Sequence, residues 1–243
     1  MNVIGIFGPT GVGKTGVAVA LAELLRESGE DPVAINCDAL QVYEGLEVLT
    51  GTATAEEQAR LEHRLLGFVP VTEDFSIGDY MPLAHREIDA ALDAGRRPIV
   101  VGGTGLYLRA AVAELSLEKA PAESDDSELW SPETRHPTTI FGFDMDREQL
   151  YERINARVEA IIAGGAAAEA RGADALGPGR TARKALGFDE LLSGDIEAMK
   201  QRSRNYARRQ LTWMRKIPDL RWVDRTGLSD QEVAERLLVL GTS

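Results

Sequence analysis

The chain has 243 residues, 44% of them hydrophobic, and a formal net charge of −12. These values suit one large α/β domain with a substantial core. They exclude wholesale disorder and non-specific attachment of the whole body to nucleic acid. A single cysteine, Cys37, excludes an intrachain disulfide, and with three histidines a Cys/His zinc cluster is not expected.

In chain order, MNVIGIFG lacks a basic leader region and a cleavage signature, so no signal peptide is read and a cytoplasmic protein is expected. No apolar run approaches the ~18 residues of a membrane span. Val3–Phe7 reads as a buried strand ending at Gly8. Lys14–Arg26 has helical spacing of Val17, Leu21, Leu24 and Leu25, with Gly29 as a stop. Pro32–Cys37 reads as a second strand, Ser76–Ala94 as a helix and Arg97–Val101 as a third strand. Glu118–Pro137, with three prolines and six carboxylates, reads as a flexible acidic loop. Thr138–Phe143 is a fourth strand and Arg147–Ala163 a helix. Thr181–Leu192 and Asp195–Lys216 are two more helices, followed by a strand at Leu220–Val223 and a helix at Asp230–Leu240. Strands alternating with helices predict a single α/β domain over 1–243, with a mostly parallel sheet, helices on both faces and a helical C-terminal part.

Gly8-Pro9-Thr10-Gly11-Val12-Gly13-Lys14-Thr15 fits G-x-x-x-x-G-K-[ST] between a predicted strand and a predicted helix. Such a P-loop turns several backbone N–H groups toward one anion at a helix N-terminus. Lys14 adds a full charge, and the Thr15 hydroxyl is suited to Mg²⁺. The third strand, however, ends Val100-Val101-Gly102-Gly103-Thr104-Gly105, without the carboxylate that usually holds the metal in nucleotide hydrolases. The second strand does end in one, Asp38. The loop can therefore hold a diphosphate without hydrolysing a nucleotide.

Four blocks, GPTGVGKT (8–15), DALQVYEGLEVLTGTA (38–53), VGGTGLYLRA (101–110) and RSRNYARRQLTWMRK (202–216), resemble the tRNA dimethylallyltransferase (isopentenyltransferase) family. MDREQLYERINARV (145–158) and ARKALGFDELL (182–192) are similar to it too. Two departures stand out. Only Glu118–Pro137 occupies the place of the family's helical insert of several dozen residues, so the chain reads as a short form. The family's Gly-Thr-Ala-Lys-Pro is Gly51-Thr52-Ala53-Thr54-Ala55 here, without its lysine.

The resemblance implies transfer of a dimethylallyl group from dimethylallyl diphosphate to N6 of adenosine 37 in the tRNA anticodon stem-loop. It implies Mg²⁺ as cofactor and no membrane, and a monomer is expected. Lys14 and the loop would stabilise the departing diphosphate. Asp38 would accept the proton of the weakly nucleophilic amine, or it is merely a turn residue. Thr104 would bond the diphosphate, or cap the following helix. Contacts to tRNA are expected from Asp38, Ala39, Leu40, Gln41, Lys184, Arg204, Arg208 and Arg209, and Tyr43 is placed near the base.

Lys200–Lys216 holds seven basic and no acidic residues, which leaves −19 for the rest of the chain. On an ideal helix Lys200, Arg204, Arg208 and Arg215 fall within about 80° of one another, with Arg209 roughly 100° away. Arg forks suit phosphate oxygens. Trp213 and Leu211 read as core. The three histidines read as surface or hydrogen-bonded groups, and Cys37 as an apolar filler. Trp130 and Arg135 either close over the site or lie on an exposed loop. Three rival readings stand beside the transferase: an adenylate isopentenyltransferase acting on free AMP or ATP, a small-molecule P-loop kinase that binds ATP, and a non-catalytic nucleotide-binding module.

Overall fold

The computed structural model describes residues 2–116 and 129–241. Its strands are β1 (Val3–Phe7), β2 (Pro32–Asn36), β3 (His63–Arg64), β4 (Arg97–Gly102), β5 (Thr138–Asp144) and β6 (Arg221–Asp224). They form one sheet in the order β3-β2-β4-β1-β5-β6, with every neighbouring pair parallel. Parallel neighbours need crossover connections, and the helices supply them. All five residues of β1 and of β2 are buried, which is why these strands read as continuous apolar runs rather than alternating ones.

The helices are α1 (Lys14–Glu27), α2 (Glu47–Thr50), α3 (Ala55–Arg60), α4 (Ile77–Asp93), α5 (Gly105–Val112), α6 (Arg147–Ala163), α7 (Ala166–Leu176), α8 (Phe188–Ser193), α9 (Ile196–Met214) and α10 (Asp230–Gly241). Val17, Leu21 and Leu25 of α1 pack with Val233 and Leu237 of α10 against Ile4, Ile6 and Phe141. In a second cluster Tyr80, Ile88 and Leu108, from α4 and α5, join Met214 against Phe7, Ile35 and Val100. A third core joins α2, α6, α7, α8 and the start of α9 through Leu49, Val158, Ala170, Phe188 and Met199. Among the described residues no helix is long and apolar enough to cross a membrane.

The expected strands and long helices stand close to their sequence bounds. The expected helix at Thr181–Leu192 does not form as one element. It is a 3-10 turn, Ala182–Lys184, followed by α8, because Gly187 takes a left-handed conformation (φ 94°) between them. Four short or weakly patterned elements escaped the sequence reading: α2, α3, β3 and α7. The last buries only alanines, Ala166, Ala170 and Ala173. Its Glu169 carboxylate accepts the N–H groups of Val48 (2.9 Å) and Leu49 (2.8 Å), capping α2 from a distance.

Of the predicted acidic loop, residues 118–128 lie outside the described residues. The part that follows is tied down. Arg109, 1% exposed, donates from Nε to the Leu129 carbonyl (3.0 Å) and from Nη2 to the Ser131 carbonyl (2.8 Å). Trp130 packs on Trp213 with ring centroids 4.7 Å apart. Arg135 pairs with Asp89 (3.0 Å) and Glu114 (2.8 Å). Neither Trp130 nor Arg135 lines the cavity described below. Arg109→Leu removes the donors and leaves those carbonyls unpaired. The expected loss is about 1–3 kcal/mol of stability, read as a lower thermal midpoint.

Candidate active site

Three strands that are neighbours in the sheet, β2, β4 and β1, deliver the site from their carboxyl ends. There a cavity of about 780 Å³ is lined by Thr10, Gly11, Gly13, Lys14, Thr15, Asp38, Leu40, Gln41, Gly102, Arg157, Ser203, Tyr206 and Gln210, among others. Thr10 to Thr15 thus meet the cavity as predicted, apart from Val12, which is fully buried. Gly8 and Pro9 stand behind them: the Lys14 ammonium donates to both their carbonyls at 3.0 Å.

Gly103 follows the cavity-lining Gly102. A Cβ built there would lie 2.5 Å from Gln210 Nε2, 3.3 Å from Asp38 Oδ2 and 3.4 Å from Lys14 Nζ. The carboxylate and the ammonium therefore face one point, one from the turn after β2 and the other from the start of α1. The other oxygen, Asp38 Oδ1, accepts the Leu40 N–H (3.0 Å) and fixes the turn. The turn reading of Asp38 is met by this oxygen, and Oδ2 has no part in that bond. Burial lowers the Lys14 pKa from 10.5 to about 8. The Asp38 charge opposes that shift, and the Arg157 charge reinforces it.

Thr104 sits at the N-cap of α5 but makes no side-chain cap bond. Its hydroxyl accepts the Ala39 N–H instead (3.3 Å) and hydrogen-bonds the phenol of Tyr206, whose burial raises its pKa. Thr104 thereby ties the Asp38 turn to α9.

Sequence reading missed two residues. Gln210, 5% exposed, accepts the Thr10 N–H (2.8 Å) through Oε1 and donates from Nε2 to the Gly103 carbonyl (2.6 Å). It joins the phosphate loop to the end of β4. Arg157 of α6 donates to the Thr50 carbonyl (2.9 Å), and among the described residues it has no carboxylate partner. Burial lowers its pKa, and Asp38 opposes that. A half-buried cation without a counter-ion beside Lys14 suits an anionic ligand. Each residue had a faint signal: Gln210 follows Met199, Ser203 and Tyr206 at helical spacing, and Arg157 lies within MDREQLYERINARV, one of the blocks of family resemblance.

The remaining expectations divide. Leu40 and Gln41 line the cavity, and the Gln41 amide donates to the Gly51 carbonyl (3.2 Å). Tyr43 is not near a base site. It is 1% exposed, and its hydroxyl accepts the Phe75 N–H (3.2 Å). Lys184 is exposed on the 3-10 turn, away from the cavity lining. Along α9 the face Met199, Ser203, Tyr206, Gln210 looks inward, so the cations flank the cavity rather than line it. Lys200 leaves the expected stripe, because Glu159 (3.0 Å) and Glu197 (3.1 Å) neutralise it. Arg202 is likewise paired, with Glu190 (2.8 Å). Arg204 bonds only amides, Asn155 (2.7 Å) and Gln201 (2.9 Å). Arg208 bonds Asn205, and Arg209 lies over the Tyr206 ring.

This assembly of sites matches known proteins throughout its length. The description "IPP transferase" matches residues 41–131 and 118–217, and "Isopentenyl transferase" matches residues 1–73. A tRNA dimethylallyltransferase of Salinispora tropica is 32% identical over 98% of this chain and 92% of its own. The chain belongs to the tRNA dimethylallyltransferase family. A relative from Limosilactobacillus fermentum is 30% identical over 98% of this chain and 97% of its own. The fold agrees with a tRNA isopentenylpyrophosphate transferase structure from Bacillus halodurans: TM-score 0.85, 28% identity, 99% of this chain and 96% of that one. A Staphylococcus epidermidis structure shares the fold at TM-score 0.82 and 22% identity, covering 100% of this chain and 99% of that one. The alignment with the Salinispora protein runs over 302 positions against a chain of 243 residues, as an internal segment absent here would require.

The Lys14 shift has a sign. A folded pKa of about 8 lies below the unfolded 10.5, so holding the charge costs stability in full below about pH 8. That cost fades as pH rises toward 10.5, so this group makes the empty protein more stable with rising pH in that window. Anion binding should run the other way and weaken as pH passes 8. Titrating pyrophosphate binding from pH 7 to 9 checks this, with Lys14→Met expected to remove the lysine's part of the dependence.

Proposed function

We propose that the chain transfers a dimethylallyl group from dimethylallyl diphosphate to N6 of adenosine 37 in the tRNA anticodon stem-loop, releasing diphosphate. The carrying observation is the convergence of Asp38 Oδ2 and Lys14 Nζ, two residues that line one cavity, on a point beside Gly103, in a chain of this family. The phosphate loop binds the donor's diphosphate through the N–H groups at the start of α1, with Lys14 and Arg157 as its cations. As the allylic C–O bond breaks, negative charge grows on the diphosphate oxygens, where those groups stand preorganised.

The adenine amine is a weak nucleophile because its lone pair is delocalised. Asp38 Oδ2 accepts one N–H and takes the proton as the C–N bond forms. The base has to leave its stack to reach the cavity, as for other enzymes acting on a base. The Thr15 hydroxyl lines the cavity and is a hard oxygen donor, which suits Mg²⁺ shared with substrate phosphates. Bound there, Mg²⁺ would neutralise charge on the leaving diphosphate.

Outside the cavity Arg204, Arg208 and Arg209 carry no carboxylate partner among the described residues, and the remainder of the chain is acidic. Such a surface holds RNA phosphates at one place and repels them elsewhere.

Two outcomes are expected. Asp38→Asn should lower the single-turnover rate by roughly 10²–10⁴ while leaving donor affinity nearly unchanged. An unaltered chemical step would remove Asp38 as base. Arg204→Ala with Arg208→Ala should weaken tRNA binding and flatten its salt dependence by about one unit of slope for each phosphate no longer neutralised, with donor binding intact. Activity on AMP that matched activity on tRNA would instead favour the adenylate enzyme.

A further inference from the structure

We propose that Arg225, assisted by Arg153, is a positioning residue that presets the phosphate loop by holding its carbonyl groups from behind. The inference rests on the diphosphate reading above, but it concerns residues that touch no substrate.

Arg225 follows β6 and lies 213 residues beyond the loop in sequence, yet it is 1% exposed against it. Its Nη1 donates to the carbonyls of Val12 and Gly13, the latter at 3.0 Å. Its Nη2 donates to Asp230 Oδ1 at 2.7 Å, on the first turn of α10. From the other side Arg153 of α6 donates through Nε to the Gly11 carbonyl at 3.1 Å. Three successive peptide units are thus gripped by two guanidinium groups. A Cβ at Gly13 would strike both of them, so the grip is on bare backbone.

The consequence follows from peptide geometry. A trans peptide is planar, and its N–H points opposite to its C=O. Carbonyls of Gly11, Val12 and Gly13 turned toward the arginines send the N–H groups of Val12, Gly13 and Lys14 the other way. The first of these is used within the loop, donating to the Pro9 carbonyl at 3.3 Å. The N–H groups of Gly13 and Lys14 are left for the cavity, which both residues line. A hydrogen-bonded carbonyl also polarises its own peptide, which strengthens the N–H as a donor.

A purely structural role explains this arrangement poorly. A fully buried guanidinium whose carboxylate partner is 43% exposed is a costly way to join β6 and α10. An apolar side chain would pack there without that cost. Lys14 donates to the carbonyls of Gly8 and Pro9, and that ammonium is needed by an arriving anion. The arginine contacts are to other carbonyls of the loop, those of Gly11, Val12 and Gly13, and do not occupy the Lys14 ammonium.

The test uses the full-length enzyme. Arg225→Met keeps the volume and removes the donors; Arg225→Lys keeps a charge and one reach; Arg153→Gln changes an exposed side chain that the fold tolerates. Pyrophosphate affinity, donor KM and tRNA KM are measured for each. Arg225→Met should weaken pyrophosphate and donor roughly tenfold, as loss of groups that orient binding ligands does, with tRNA KM within about twofold. Arg225→Lys should recover part of the loss, and Arg153→Gln should shift in the same direction by less. Folded Arg225→Met with wild-type pyrophosphate affinity overturns the proposal. Should that variant not fold, wild-type affinity in Arg153→Gln overturns it. Wild-type enzyme in which pyrophosphate fails to compete with the donor overturns the diphosphate reading itself, whatever the variants do.

Discussion

The site depends on one steric constraint, the bare backbone at the end of β4. A Cβ at Gly102 would stand 2.5 Å from the Cys37 carbonyl carbon, and one at Gly103 would stand 2.5 Å from Gln210 Nε2. The first is a clash with backbone that no ordinary side chain escapes, and the second would displace the Gln210 amide from the Gly103 carbonyl. With glycine at both positions β2 closes on β4, and the turn after β2 brings Asp38 across to the phosphate loop. The space a side chain would fill at Gly103 is bordered by the Asp38 carboxylate and the Lys14 ammonium. The same absence leaves the Gly103 carbonyl open to Gln210.

Around that point the fold gathers positive charge against its general composition. The body is acidic, and surface arginines are neutralised locally, as Arg96 is by Asp31 and Glu62. Lys14 and Arg157 are different: both sit half-buried, neither has a carboxylate in ion-pair contact among the described residues, and the Arg157 charge disfavours that of Lys14. Such a pair is a poor way to stabilise an empty protein, since a buried cation without a partner is expensive. It becomes favourable when a multivalent anion arrives. A stability cost of this kind, located at one cavity, is the physical mark of a binding site.

Helix α9 connects the cavity wall to the cations beside it. Its 3.6-residue period puts Met199, Ser203, Tyr206 and Gln210 on the cavity wall and leaves Arg204, Arg208 and Arg209 on the faces beside it. Gln210 reaches both the loop and β4, so the helix that carries the external cations is fixed rigidly to the reacting centre. The segment that would carry the family's longer insert returns through Arg109 and Trp130 to α5 and α9, not to the cavity. Shortening there leaves the cavity walls intact.

Sequence alone determined the succession of strands and long helices and the place of the glycine loop between β1 and α1, because both rest on local rules: buried parallel strands are continuous apolar runs, and glycines at fixed offsets turn the backbone sharply before a helix. It placed Asp38 at a strand end for the same reason. Lys200 and Arg204 looked equivalent by helical angle, but their partners lie on other elements, so only the folded chain separated a neutralised lysine from an arginine bonded to amides alone. Tyr43 was misread because its burial against Phe75 depends on a contact 32 residues away. The α7 helix escaped notice because alanines carry little hydropathic signal and are buried only by their neighbours. What Gln210, Arg157 and Arg225 hold became visible only in three dimensions. Their roles are hydrogen bonds to backbone groups between 107 and 213 residues distant, and a backbone carbonyl has no signature in a sequence.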